Sequence, residues 1–267
     1  MAEKATQSDG QTSGPAVRES AFEKAWQARF AEFAALRDDD AGIAGWSVVG
    51  LETRFRFFRG LWRGAKPGSV YLDVGCGAGT YSRWLADQGL RVLGLDYSHL
   101  SLVKAQRREA PGVVYCVADA MHLPVSSAST DGALCFGVLQ AVSDSGPVVA
   151  ELARVIRPGG QVWIDALNAG NPAAVWDRLS RRLRGKRMHL RYESLQALKA
   201  LMHAAGFEDL SPYWLPIAPR PFRRLQAVAE SASVRAMLDW VPGLGSTASH
   251  SLVIHGIRAS ATWGAKR

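Results

Sequence analysis

Residues 71–80 read Tyr71-Leu72-Asp73-Val74-Gly75-Cys76-Gly77-Ala78-Gly79-Thr80. A short apolar run enters this stretch and a helix-like run, with Tyr81, Trp84 and Leu85 on one face, leaves it. In an open α/β sheet the carboxyl end of a strand is where ligands bind. Glycines there let a ligand approach the backbone. A second acid, Asp96, closes the next apolar run, where an acid hydrogen-bonds a ribose diol. Two nucleotide ligands compete for such a loop. A dinucleotide site needs G-x-G-x-x-G, but three residues after Gly77 stands Thr80. The order is D-x-G-x-G-x-G, with Asp73 ahead of the glycines. A carboxylate opposes a bound pyrophosphate and tolerates an ammonium and a sulfonium. The loop therefore favours S-adenosylmethionine.

Other reactive side chains are less patterned. Asp165 and Asn168 follow a later apolar run and could suggest a metal site, but further oxygen ligands are not evident, so no metal is expected. Cys76, Cys116 and Cys135 lack metal-ligand spacing and read as buried thiols. Of six histidines, His189, together with Tyr192, lies just past the fifth strand on the side where substrates enter. These two are the candidate catalytic residues, each against a structural role.

The elements that must position these groups follow from periodicity. Phe22, Trp26, Phe30 and Phe33 recur at helical spacing within Glu19–Arg37, and Asp38-Asp39-Asp40 ends that helix. Trp46–Leu61 reads as a second, aromatic helix. Strand runs at 69–74, 91–95, 113–117, 132–136 and 161–166 then alternate with helices, and Arg157-Pro158-Gly159-Gly160 stops the helix before the fifth. Such alternation means a parallel sheet covered on both faces. Ser194–Ala205 reads as another helix, and 207–214 and 250–258 as two more strands.

Five motifs in this order resemble the class I S-adenosylmethionine-dependent methyltransferases, in particular their small-molecule, UbiE-like (type 11) branch. They are Leu72–Thr80, Leu95-Asp96-Tyr97-Ser98, Val117-Ala118-Asp119-Ala120 with Leu123-Pro124, Asp131–Leu134 with Phe136–Leu139, and Arg154–Gly160. The resemblance covers about 69–166 well and the strand pattern loosely to 258. It implies an α/β, Rossmann-like, seven-stranded, mostly parallel sheet with helices on both faces and an N-terminal helical cap. It implies that Gly75, Gly77 and Gly79 line the methionine part of the cofactor. By the same resemblance Asp73 orders the loop or serves the amino group, Asp96 takes the ribose, and Tyr97 flanks the adenine. Asp119 and Ala120 meet the adenine edge, and Phe136 and Gly137 stand beside the amino group. The family usually carries L-H-H after the fourth strand; here the residues are Leu139-Gln140-Ala141, which removes a candidate base.

The expected organisation is a disordered tail at 1–17 and a cap at 18–66. A methyltransferase domain follows at 67–258, with a basic insert at 168–193 and a helical insert at 215–247, and then a tail at 259–267. Trp26, Phe30 and Trp46 of the cap would cover the cofactor, with Trp46, Leu139 and Gln140 as acceptor-side residues. The expected reaction is in-line methyl transfer to an O, N or C atom of a small, hydrophobic or lipid-like acceptor. A nucleic-acid methyltransferase and a cofactor-binding module without catalysis are the alternatives.

The 267 residues are 48% hydrophobic and 21% charged, which excludes a disordered or fibrous chain. The net charge is +8, and Arg178–Arg191 alone carries seven basic and no acidic residues. The charge is thus local, which ranks nucleic acid behind a small molecule. Val175, Leu179 and Leu183 at four-residue spacing make 175–191 a basic amphipathic element suited to an anionic membrane surface. With no apolar leader in 1–20 and no long apolar run, a cytoplasmic placement, peripheral at the membrane, is expected.

Overall fold

Along the central strands, neighbouring residues belong to two different cores. Leu72, Val74, Ala133, Cys135, Val162 and Ile164 face one; Tyr71, Leu134 and Trp163 face the other. Strand side chains alternate between faces, so a sheet apolar at both parities must be covered twice. The computed structural model describes residues 20–186, 189–217 and 224–260 and shows this cover in place. The expected tail 1–17, Arg187 of the basic run, positions 218–223 of the second insert and positions 261–267 lie outside the described residues.

The chain opens with α1 (Ala21–Leu36), α2 (Asp40–Ile43) and α3 (Val48–Leu61). It then alternates through β1 (Val70–Val74), α4 (Thr80–Asp87), β2 (Arg91–Asp96), α5 (His99–Gln106), β3 (Val113–Val117) and β4 (Thr130–Cys135). A 3-10 turn (Leu139–Ala141), α6 (Gly146–Val155) and β5 (Ile156–Leu167) follow. The last third holds α7 (Pro172–Leu183), α8 (Leu195–Ala204), β6 (Phe207–Leu215), α9 (Gln226–Ala229), α10 (Ala232–Trp240), α11 (Leu244–Ala248) and β7 (Ser251–Arg258). The seven strands form one sheet in the order β3-β2-β1-β4-β5-β7-β6. Strands β1 to β5 run parallel, and β7 is antiparallel to both β5 and β6. This is the expected Rossmann-like, mostly parallel sheet.

The first core takes Val148, Val149 and Leu152 from α6 and Leu198 and Met202 from α8. The second takes Phe57 and Phe58 from α3 and Tyr81 and Leu85 from α4. Phe58 is 1% exposed, and its ring lies 5.4 Å from those of Trp84, Phe136 and Trp163, edge-on to each. Burying one such side chain contributes about 1.5–3 kcal/mol. The third N-terminal helix is therefore built into the sheet's own core.

One boundary differs from the sequence reading. β5 starts at Ile156, so the segment Arg157-Pro158-Gly159-Gly160 lies within the strand. Its register to β4 shifts between Thr130 and Gly132. Helix α6 ends at Val155, just ahead of the expected stop at Arg157. Ile156 then pairs at once with Thr130, and Gly159, at φ +79°, lets the strand bulge before pairing resumes at Gln161.

The topology places the site. β1 lies between β2 and β4, so the chain leaves it in one direction toward β3 and returns on the other side toward β5. A crevice opens at such a switch point, beyond the carboxyl ends of the strands.

Candidate functional site

Beyond the ends of β1, β2 and β4 an open cavity encloses about 1170 Å³, its mouth included. Asp73, Gly75, Gly77, Asp96, Tyr97, Asp119, Ala120, Phe136, Gly137 and Trp46 all line it. Stretches far apart in sequence converge here because the parallel register aligns Val74 with both Leu95 and Cys135.

The glycine loop is bent by backbone bonds. The N–H groups of Gly75 and Cys76 both donate to the Leu95 carbonyl, at 2.7 and 3.0 Å. Gly77 has φ +52°, and a Cβ there would meet no protein atom within 4 Å. Its backbone is open to the cavity, as close approach of a ligand requires. Gly79 does not line the cavity. It precedes α4 with φ +81°, and a Cβ there would come within 2.3 Å of the Tyr115 hydroxyl. Its need for glycine is packing against β3.

Asp96 accepts from the Gly77 N–H and the Ser98 N–H, both at 2.8 Å. Burial pushes its carboxyl above the usual range, and these two donors pull it back. Asp73 is 2% exposed and accepts from the Ser82 hydroxyl at 2.6 Å. Burial pushes its carboxyl up to about 6, against the Ser82 hydrogen bond. Asp119 accepts from the Met121 N–H at 2.9 Å, which shapes the turn holding Ala120. The Tyr97 hydroxyl donates to the Trp26 carbonyl at 3.2 Å and ties α1 over the site.

The wall after β4 is built from farther away. The Gly137 N–H donates to Asp165 Oδ1 at 2.6 Å, and Arg54 Nε lies 3.2 Å from Asp165 Oδ2. Arg54 also donates to Ser251 Oγ at 2.9 Å, and its guanidinium lies 4.4 Å from the centre of the Trp46 ring. Trp46 in turn presses on Gly137, where a Cβ would come within 2.5 Å of the indole. Asp165 is thus committed to an arginine and a backbone N–H. The Asn168 amide donates to the carbonyls of Ser246 and Ser249.

Several sequence candidates lie elsewhere. Leu139 is 1% exposed and packs in the first core, because the 3-10 turn directs it under the sheet edge. Gln140 is buried, and its carbonyl accepts from the Arg191 N–H at 3.0 Å. Ala141 and Val142 line the cavity in their place. His189 and Tyr192 do not line it either. His189 lies 3.3 Å from an Arg181 nitrogen, and Tyr192 donates to Asp177 at 3.4 Å. Burial and the Arg181 charge hold the His189 imidazole below its ordinary range. Both residues brace α7.

The cavity also has lining that the sequence reading passed over. Asp40, read there as part of a helix terminator, pairs with Arg83 at 2.5 Å and Arg108 at 2.9 Å and accepts from Thr80. Glu23 accepts from the Ser143 N–H at 2.7 Å and so joins α1 to the loop after β4. The spacing Ser20-x-x-Glu23 was its available signal, a helix capping box. Tyr81 and Trp26 line the cavity, and their Oη and Nε1 atoms are buried without a hydrogen-bond partner. Buried polar groups ordinarily have partners. These two, the open Gly77 backbone and the two carboxylates fit a nucleoside ligand with a cationic end.

Residues 72–164 match the family model described as "Methyltransferase domain". The chain is similar to the demethylmenaquinone methyltransferase of Renibacterium salmoninarum, 38% identical over 99 residues, which cover 37% of this chain and 41% of the relative. It is similar to the malonyl-[acyl-carrier protein] O-methyltransferase of Hamiltonella defensa, 30% identical over 187 residues, which cover 68% of this chain and 65% of that protein. The matched stretches thus span less than two thirds of either relative. Among solved structures the fold is like phosphoethanolamine N-methyltransferase 2 of Haemonchus contortus in complex with S-adenosyl-L-methionine. The TM-score there is 0.60 at 19% identity, covering 86% of this chain and 60% of that one.

Proposed function

We propose that residues 72–164, which match the model described as "Methyltransferase domain", form a class I S-adenosylmethionine-dependent methyltransferase domain, and that the chain methylates a small, hydrophobic or lipid-like acceptor at an O, N or C atom. The observation that carries this reading is the mixed lining of the cavity: Gly77, Asp73 and Asp96 stand in it together with Trp26, Phe30, Trp46, Met121 and Val142.

In this reading Asp96 holds the ribose hydroxyls, and the turn at Asp119-Ala120 meets the adenine. Asp73 sets a negative charge behind the cationic end. The cofactor supplies an electrophilic methyl group on a sulfonium. The protein's part is alignment and exclusion of water. Trp26 and Phe30 close the cavity from α1, where the Phe30 ring meets that of Tyr97 edge to face at 5.9 Å. Trp46 and Gly137, fixed by Arg54 and Asp165, set the side from which the acceptor approaches. Orientation of this kind can supply about 7–11 kcal/mol of the barrier. The described cavity lining contains no histidine, so the reading places the weight on alignment rather than on a general base.

No described helix is long and apolar enough to cross a membrane. A cytoplasmic placement and an anionic membrane contact through 175–191 belong to the same reading, since a lipid-like acceptor resides there. Calorimetry with S-adenosylmethionine and an acceptor screen for S-adenosylhomocysteine release are the tests. Asp96→Ala should weaken cofactor binding by about 10–100-fold, the worth of hydrogen bonds to a charged group. Equal binding by that variant would remove Asp96 from the ribose. Failure of the unaltered chain to bind would remove the cofactor altogether.

A further inference from the structure

Helix α7 has its apolar side in water. Trp176 is 68% exposed, Leu183 77%, Leu179 47% and Val175 44%. At i, i+1, i+4 and i+8 these four share one face. Ala174 is the only buried residue of the helix. Part of its polar side turns instead to the protein. Arg178 donates to the Ala169 carbonyl at 2.7 Å and lies over the Tyr192 ring, and Asp177 accepts from Arg181 at 2.9 Å. This is the reverse of a helix packed on a core.

At the carboxyl end of the helix Arg182, Arg184 and Lys186 are exposed and make no ion pair among the described residues. A polyanion such as RNA would engage the cations and leave the tryptophan and leucines in water. An anionic bilayer covers both, with the apolar face in the acyl boundary and the cations at the headgroups. Tryptophan prefers that depth.

The helix also sits beside the cavity. Following it, the Arg191 N–H donates to the Gln140 carbonyl, and the Arg191 guanidinium donates to the Ser143 carbonyl. Ala141 and Val142, between those two, line the cavity.

We propose that α7 is an interfacial helix that seats the protein on an anionic lipid bilayer and brings the cavity's outer wall to the membrane surface. The docking stands on α7 alone; its use in presenting a lipid-like acceptor rests on the methyltransferase reading above.

The test is flotation of the full chain with phosphatidylcholine vesicles, with and without phosphatidylglycerol. The unaltered chain should float with the anionic vesicles and not with the neutral ones. Replacing Arg182, Arg184 and Lys186 by Gln should lower the affinity by about 100-fold and flatten its salt dependence. Trp176→Ser with Leu179→Ser should lower it by about tenfold or more. Both variants should bind S-adenosylmethionine in calorimetry as the unaltered chain does. Flotation without cofactor binding would sink the methyltransferase reading and keep the docking. An unaltered chain that does not float would overturn the docking, whether or not it captures an acidic protein or RNA. Variants that float as well as the unaltered chain would also overturn it.

Discussion

Asp165 and Arg54 meet in a wall where each side chain is 6% exposed, while Arg182, Arg184 and Lys186 stand in solvent at the end of α7. Charge does opposite work in the two places. In the wall each ion has lost its water and must keep its partner, so the pair fixes geometry: Gly137 hangs from the carboxylate and Trp46 lies on the guanidinium. On α7 the ions keep their water and add little to folding, which leaves them free for an external partner. The same residue type is structural when buried and available when exposed, and the loss on removing it separates the two cases.

The largest effect is expected from Asp165→Ala. It strands the Arg54 guanidinium in the interior and leaves the Gly137 N–H without its acceptor. Breaking a buried pair from one side costs about 3–5 kcal/mol, readable as a lower urea midpoint. Arg54→Met combined with Asp165→Leu should recover much of that loss, because no charge is then stranded. Some deficit should persist from the Gly137 N–H, about 1–3 kcal/mol. If the single and double variants were equally unstable, the pair would be serving as packing rather than as a charged tie.

Asp73 tests burial from another side, because its charge has no cation within hydrogen-bonding distance among the described residues. Burial lifts its carboxyl from an ordinary 3.8 to about 6. The folded state therefore binds this proton more tightly than the unfolded chain does. That contribution is full below about pH 4 and is lost as pH rises through about 6. Asp73→Asn removes the dependence. Without ligand, the variant should gain on the unaltered chain by about 1–3 kcal/mol between pH 4 and pH 7.5, while binding the cationic cofactor more weakly. A stability difference that stays flat over that range would show the carboxyl to be solvated.

The two regions also differ in how far they could be read from sequence. The loop, its acids and the strands around it were legible because each is a local pattern: alternation, a glycine cluster, an acid ending a strand. The apolar stripe and charge of α7 were legible for the same reason. The Arg54–Asp165 tie was not, since it joins residues 111 positions apart and neither has a local signature. Asp40 looked like a helix stop because it follows two other aspartates, yet it binds Arg83 and Arg108 across the cavity rim. Leu139 looked like an acceptor contact from its place after β4. The 3-10 turn rotates it into the core, and one residue of phase in a turn is not written in residue type.

The smallest effect is expected where the net charge is densest. Replacing Arg182, Arg184 and Lys186 by Gln removes three of the eight net positive charges, yet none of the three makes an ion pair among the described residues. Cations at the end of a helix interact favourably with its dipole by about 0.3–1 kcal/mol each in low salt. Against this, the three repel one another and their neighbours Arg178 and Arg181 across less than a Debye length. The two contributions oppose, so the urea midpoint should shift by less than about 0.5 kcal/mol equivalent. That small stability change beside a large loss of vesicle binding would mark the α7 charges as a surface kept for a partner. A loss near that of Asp165→Ala would mean that α7 is held to the fold by its cations, and the contrast between the two regions would fail.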